Sequence, residues 1–231
     1  MVIAVAGDKG GSGKSVVAIN LAAEFQRRGK NVLLVDADAQ GSSQTWADVA
    51  VERGHSPPTV VSMGAGLAEP NQLPALARRF DLTVIDCPGS RNAAQRSALM
   101  VADLVLLPCT PSAMDVWSLA ASIELVNKAR ALRPQLRAAI LINRKVARTR
   151  IGDSLRDMLV ECGIPLLKTE LGLRTAFAES PATGLGVTQS FAKSRAAEEI
   201  VALADEILAL ADEIAPLLDY ARPLRLVHAT A

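Results

Sequence analysis

The run Gly7-Asp8-Lys9-Gly10-Gly11-Ser12-Gly13-Lys14-Ser15 joins an apolar stretch, Val2–Ala6, to a helical one, Lys14–Arg28. A run this rich in glycine neither packs a core nor favours a helix, so it reads as a turn. Strand, loop and helix in that order form the first half of a βαβ unit. They commit the chain to parallel strands with helical crossovers. In the helix Val17, Leu21 and Phe25 fall at i, i+4 and i+8 on one face, and Gly29 ends it.

The rest of the chain keeps this rhythm. Runs at Asn31–Asp36, Thr59–Ser62, Leu82–Asp86, Leu104–Pro108, Ala138–Ile142 and Pro165–Lys168 are continuously apolar, as expected for parallel strands covered on both faces. Helical patterns at Asn71–Arg79, Arg91–Val101, Asp115–Leu132 and Ile151–Cys162 separate later strands, and Gly54–Pro74 reads as surface loop around one short strand. The expected fold is α/β, a doubly wound, mostly parallel sheet flanked by helices, with active loops at the strand C-termini. No linker divides the chain, so one domain is expected over residues 1–218, with an amphipathic helix over about 192–218 and a flexible tail at 219–231. In that helix Ile200, Leu203, Ile207, Leu210, Ile214 and Leu217 alternate three and four apart, and Glu199, Glu206 and Glu213 recur every seven. The pattern suits either a last helix packed on its own domain or a coiled-coil seam for a partner.

Composition removes several classes of function. Half the residues are hydrophobic and 21% are charged, enough for a large core and too apolar for a disordered chain. Aromatics are only 3%, so that core must be aliphatic. A net charge of +1 excludes a globally basic coat, and any nucleic-acid contact must come from a local patch. Cys87, Cys109 and Cys162 suit neither a disulfide framework nor a zinc site, and read as small buried hydrophobes in a reducing cytosol. No apolar run reaches the roughly 18 residues of a spanning helix, and the N-terminus lacks a secretory pattern, so a cytoplasmic protein is expected.

The glycine run is suited to phosphate. Without Cβ atoms its backbone N–H groups can converge on phosphate oxygens, and the following helix adds the positive end of its dipole. Lys14 would neutralise the β- and γ-phosphates, and the Ser15 hydroxyl would face Mg²⁺. Asp8 stands where the usual pattern begins with glycine.

KGGSGKS at Lys9–Ser15 resembles the deviant Walker A box of the ParA/MinD family of ATPases, marked by an extra lysine before the paired glycines. Three further segments resemble family motifs in order: LLVDADAQG at Leu33–Gly41, with Ala39 where proline is usual; LTVIDCPGS at Leu82–Ser90, the Walker B strand; and LLPCTPSAMD at Leu106–Asp115. The resemblance implies a P-loop NTPase fold, ATP and Mg²⁺ as cofactors, weak ATP hydrolysis stimulated by a partner, and an ATP-sandwich homodimer. It implies that Lys9, Gly10, Gly11, Ser12, Gly13, Lys14 and Ser15 hold the nucleotide, with Lys9 reaching the phosphates of the other subunit. Lys9, Lys14 and Asp38 would carry catalysis, Asp38 by orienting the attacking water. Asp36 suits strand-end hydrogen bonding near Mg²⁺ nearly as well as chemistry. Asp86 would hold the metal through water, beside Ser15. Asn143 would bond the adenine edge, or be a plain strand-end asparagine.

Charge is uneven along the chain. Between Glu124 and Arg156 nine basic residues face two acidic ones, and Lys193 and Arg195 form a second basic group, with Arg174 nearby. In ParA-type members such residues touch DNA backbone without reading sequence, which makes Arg174, Lys193 and Arg195 candidate DNA contacts; a merely solvated basic face is the alternative. The implied function is distribution of a cargo (plasmid, chromosome origin or protein body) over the nucleoid, with a ParB-like or other adaptor. A MinD-like membrane-cycling ATPase is the second reading. It needs a basic amphipathic C-terminal helix, and this one is acidic on its polar face. A metallocluster or synthetase enzyme with the same loop is a third, against which the missing CxxC counts. No membrane partner is expected.

Overall fold

A computed structural model describes residues 1–146, 156, 158–160 and 162–221. Most of the helix expected at Ile151–Cys162, the basic residues Arg148 and Arg150, and the tail beyond Ala221 lie outside the described residues. The seven strands are β1 (Val2–Val5), β2 (Val32–Asp36), β3 (Thr59–Ser62), β4 (Leu82–Asp86), β5 (Leu104–Cys109), β6 (Arg137–Lys145) and β7 (Leu166–Gly172). They form one sheet in the order β3-β2-β4-β1-β5-β6-β7, every pairing parallel. The helices are α1 (Lys14–Arg27), α2 (Ser42–Glu52), α3 (Leu73–Leu76), α4 (Ala93–Val101), α5 (Ala113–Leu132), α6 (Thr175–Glu179), α7 (Val187–Ser190) and α8 (Arg195–Ala221). The doubly wound α/β architecture expected from the sequence is the one observed.

Strands β2, β4 and β5 are buried at every position, and the aliphatic core divides into one cluster on each face of the sheet. One cluster packs β-sheet residues such as Val5, Leu34 and Leu106 against α1 and α8; the other packs Ala4, Val35 and Leu107 beneath α4 and α5. This two-sided burial is why the strands read as unbroken apolar runs. Asn92 and Ser112 accept the N–H groups of Gln95 and Asp115 at 3.0 and 3.1 Å, so α4 and α5 start on side-chain caps.

Helix α2 was not read from the sequence, and Gly54–Pro74 is less of a loop than expected, since Leu67 and Leu73 are fully buried in it. Strand β7 runs on to Gly172, beyond the Pro165–Lys168 run. The heptad-like helix is resolved in favour of its own domain: Ile200, Leu203, Ile207 and Ile214 are buried in the core, so they form no free coiled-coil seam. Its repeating carboxylates have a use as well. Glu206 accepts the N–H groups of Lys168 and Thr169 at 2.7 and 2.8 Å, and Glu199 that of Gly172 at 3.0 Å. Helix α8 thereby covers the edge strand's unpaired donors.

Candidate functional site

Parallel topology brings the C-terminal ends of β1, β2, β4, β5 and β6 to one rim. The glycine loop after β1 enters α1 through Gly13, whose φ of 89° is left-handed, a conformation that glycine adopts without strain. A Cβ at Gly13 would strike the Asn143 amide. Gly89, beyond β4, also lies close to the loop: a Cβ there would lie 3.1 Å from the Cα of Gly10 and 3.3 Å from Lys14 Nζ. The loop is therefore gripped by the ends of two other strands.

Lys14 is buried, and its Nζ donates to the Lys9 carbonyl at 2.9 Å. Burial holds its pKa below the ordinary lysine value, partly offset by Asp86, Cys87, Asp38 and Asp8. Asp36 and Asp86 stand side by side in register at the ends of β2 and β4. Asp86 is fully buried; its Oδ2 accepts the Ser43 hydroxyl at 2.8 Å, and among the described residues its Oδ1 has no hydrogen-bond partner. Burial pushes its carboxyl up to about 7, with Asp36 and Asp38 adding to the rise and hydroxyl contacts opposing it. A carboxylate this dry with one oxygen unpaired suits a cation as its missing partner.

The remaining acidic residues differ in what they hold. Asp36 accepts the backbone N–H groups of Asp38 and Gln44, at 3.1 and 2.9 Å, and so shapes the turn between β2 and α2. Asp38 is only half-buried and accepts the Gln40 N–H at 3.0 Å. Lys9 forms an ion pair with Asp115 in the first turn of α5, at the mouth of a cavity of about 420 Å³ lined also by Thr110, Arg144 and Leu173. Asn143 Nδ2 donates to the Ser12 carbonyl at 2.7 Å, and its Oδ1 accepts the Arg144 N–H at 2.9 Å. Beside it lies a second cavity of about 190 Å³, lined by Gly13, Val17, Asn143, Leu171 and Phe177.

The structure brings Lys9, Gly10, Gly11, Ser12, Gly13, Lys14, Ser15, Asp38, Asp86 and Asn143 to this rim. Lys193 and Arg195 lie at the start of α8, both exposed. Arg174 instead binds Glu199, its Nε donating to both carboxylate oxygens at 3.0 Å. Sequence reading missed Ser43, Asp115 and Arg144. Ser43 had a legible signal as a serine just beyond Gly41 where a strand meets a helix, and Asp115 as the end of the Leu106–Asp115 motif; Arg144 had none.

A family model described as the CobQ/CobB/MinD/ParA nucleotide binding domain matches residues 3–187. The chain belongs to the ParA/MinD family of ATPases. Maintenance of carboxysome distribution protein A of Halothiobacillus neapolitanus is 34% identical to it over 207 residues, covering 86% of this chain and 92% of that one. The chromosome-partitioning ATPase Soj of Thermus thermophilus is 29% identical over 236 residues, covering 87% of this chain and 95% of its own. The solved structure of the cell division ATPase MinD of Pyrococcus furiosus shares the fold, with a TM-score of 0.73 at 22% identity over 90% of this chain and 98% of that one. For a ParA/MinD ATPase the rim is chemically apt: a buried lysine in a glycine loop suits nucleotide phosphates, and the unpaired oxygen of Asp86 near a Ser15 hydroxyl suits Mg²⁺.

Proposed function

We propose that this ATPase forms an ATP-dependent sandwich dimer, binds DNA without sequence preference and positions a cargo, with hydrolysis stimulated by an adaptor. The carrying observation is Lys9. The loop already has a buried lysine in Lys14, and a second, half-exposed one at its mouth is surplus to a one-subunit phosphate site. The relatives support the same reading, since two that span most of this chain are named for carboxysome distribution and chromosome partitioning. We take cargo of that kind, a protein body or a replicon, as the class served here.

In this reading the backbone donors of Gly10–Ser15 and Lys14 cradle the phosphates. Ser15, through its hydroxyl, and Asp86, through water, would hold Mg²⁺, which would supply charge neutralisation for the phosphates. Asp38 orients the attacking water, and Lys9 of the facing subunit stabilises the charge that develops as the γ-phosphoryl leaves. Asn143 fixes the loop through Ser12 and keeps capacity for one further bond from each amide atom to the base edge. Little covalent chemistry is asked of the protein, so the rate depends on whether both half-sites are assembled.

A membrane-cycling role is disfavoured by α8. Its residues Ile200, Leu203, Ile207 and Ile214 are spent on the domain core, and among the described residues no helix is long and apolar enough to cross a membrane. The deciding experiment measures binding to unrelated DNA duplexes and to anionic phosphatidylglycerol vesicles, each with ATP, ADP or no nucleotide. Sequence-independent DNA binding with ATP alone is expected. Vesicle binding with ATP and no DNA binding at low salt would replace this function with the membrane one.

A further inference from the structure

Arg144 is the one non-glycine residue with positive φ among the described residues, at 56°. Such a conformation is uncommon for a long side chain and persists only where its surroundings hold it. Here Asn143 Oδ1 accepts the Arg144 N–H at 2.9 Å, while the Arg144 Nη1 donates to the Gly11 carbonyl at 2.8 Å. Asn143 Nδ2 takes the next carbonyl, that of Ser12. Two consecutive residues at the end of β6 thus hold two consecutive carbonyls of the phosphate loop.

The position matters as much as the bonds. Arg144 lines both the 420 Å³ cavity beside Lys9 and the 190 Å³ cavity behind Gly13. The smaller one is walled mainly by apolar side chains, Val16, Val17, Leu171, Phe177 and Ile200 among them. Its two cations differ. Arg174 is neutralised by Glu199, whereas no carboxylate pairs with Arg144 among the described residues. With one N–H tied to Gly11, the guanidinium is held over the mouth of an apolar slot that adjoins a phosphate site. A planar, weakly hydrated cation in that setting stacks on an aromatic face.

We propose that Arg144 is a base-stacking residue for the nucleotide that also positions the phosphate loop. Its planar head and alkyl stem cover one face of a purine while the Gly11 bond keeps the loop in its binding shape, so that base and phosphates are read by one side chain. The inference rests on the nucleotide site described above, and its test is built to fail separately from it.

Binding of ATP and of inorganic triphosphate, each with Mg²⁺, is measured by calorimetry on the full chain and on Arg144→Ala, Arg144→Lys and Arg144→Gly. Arg144→Ala should weaken ATP by about tenfold more than triphosphate, equal to about 1.4 kcal/mol of lost stacking. Arg144→Lys should restore triphosphate binding without restoring the margin for ATP, since an ammonium replaces the charge but not the plane. Glycine adopts the observed φ freely, so Arg144→Gly should melt at or above the wild-type temperature without nucleotide yet share the ATP deficit. Equal losses for ATP and triphosphate would overturn the stacking role, and unchanged ATP affinity in Arg144→Ala would overturn the proposal outright. Lys14→Ala should lose both ligands. If it kept both at wild-type strength, the phosphate-loop reading itself would fall, whatever the Arg144 variants do.

Discussion

Lys9 is paired with Asp115 of its own subunit, and the same carboxylate also accepts hydroxyl bonds from Thr110 and Ser112. The lysine that would complete a neighbour's site is therefore held at home. Lys9 is 41% exposed on its side chain, and an ion pair at such a site contributes about 0–1 kcal/mol, so a polyphosphate outcompetes it readily. Lys9→Ala is expected to bind ATP nearly as well as wild type but to hydrolyse it at least about tenfold more slowly and to remain monomeric with ATP. Analytical ultracentrifugation with ATP is the check; a Lys9→Ala chain that dimerises and turns over normally removes the sandwich role.

Asp38 and Asp36 separate by what their loss should do. Asp38→Ala removes a half-buried carboxylate whose backbone duties are one N–H, so folding and ATP binding should persist while hydrolysis falls by about 10²-fold. The ATP dimer should then outlast the wild-type dimer in a gel-filtration time course. Asp36→Ala leaves the Asp38 and Gln44 N–H groups unpaired and should lower the melting temperature instead. Wild-type turnover in Asp38→Ala would take that residue out of the chemistry.

Glu24 predicts a pH dependence of stability. It is fully buried near the end of α1, where burial would raise its pKa, but hydrogen bonds from Arg27 and Arg28 win and hold the carboxyl below its ordinary value. Arg28 continues the chain of contacts to Asp205 of α8 at 2.5 Å. A depressed carboxyl contributes stability above its unfolded pKa of about 4.3 and loses it as pH falls through the folded value. Glu24→Gln weakens the bonds to half-exposed Arg27 and to Arg28, which keeps Asp205, and should cost about 1–3 kcal/mol at pH 7. Urea melts from pH 7 down to pH 3 should show that difference shrinking with acid. A constant difference across the range would mean the pair does not titrate with folding.

Much of the rim could be read from sequence because phosphate recognition uses contiguous residues: Lys9–Ser15 announce themselves, and so do apolar strands ending in Asp36 and Asp86. What escaped depends on contacts between distant segments. Helix α2 buries Ser43, Trp46, Ala47 and Ala50, a face with correct helical spacing but only one large apolar side chain, so its period is faint. The seam of α8 was visible, but heptad spacing is the same whether a helix meets a partner or its own sheet. Arg144 carries no local signature, and Asp115 shows only as the last residue of the Leu106–Asp115 motif; the loop they serve lies over a hundred residues away. Glu24, with Arg27 and Arg28 three and four residues on, is indistinguishable in sequence from a charge on a solvated helix face.

The three candidate DNA contacts differ in how free their charges are. Arg174 holds Glu199 through several hydrogen bonds and borders the smaller cavity, so freeing its charge means breaking a half-buried pair. Lys193 and Arg195 are exposed at the start of α8, and neither forms an ion pair among the described residues. Backbone contact needs cations that are free to replace condensed counterions, and log affinity falls with log salt by about 0.9 for each phosphate neutralised. Lys193→Ala and Arg195→Ala should therefore weaken ATP-dependent binding on every duplex tested. Each should also reduce the salt slope by about two in a dimer, one for each copy, and leave ATP affinity alone. Arg174→Ala should instead lower the melting temperature and change the slope little, because its partner Glu199 then keeps only the Gly172 N–H beside the edge of β7. The measurement is a fluorescence-anisotropy titration of unrelated duplexes from 50 to 200 mM salt, conditions on the scale over which such contacts are read. A slope that falls for Arg174→Ala and stays fixed for the other two would reverse the ranking and move the DNA face from the start of α8 to the end of β7.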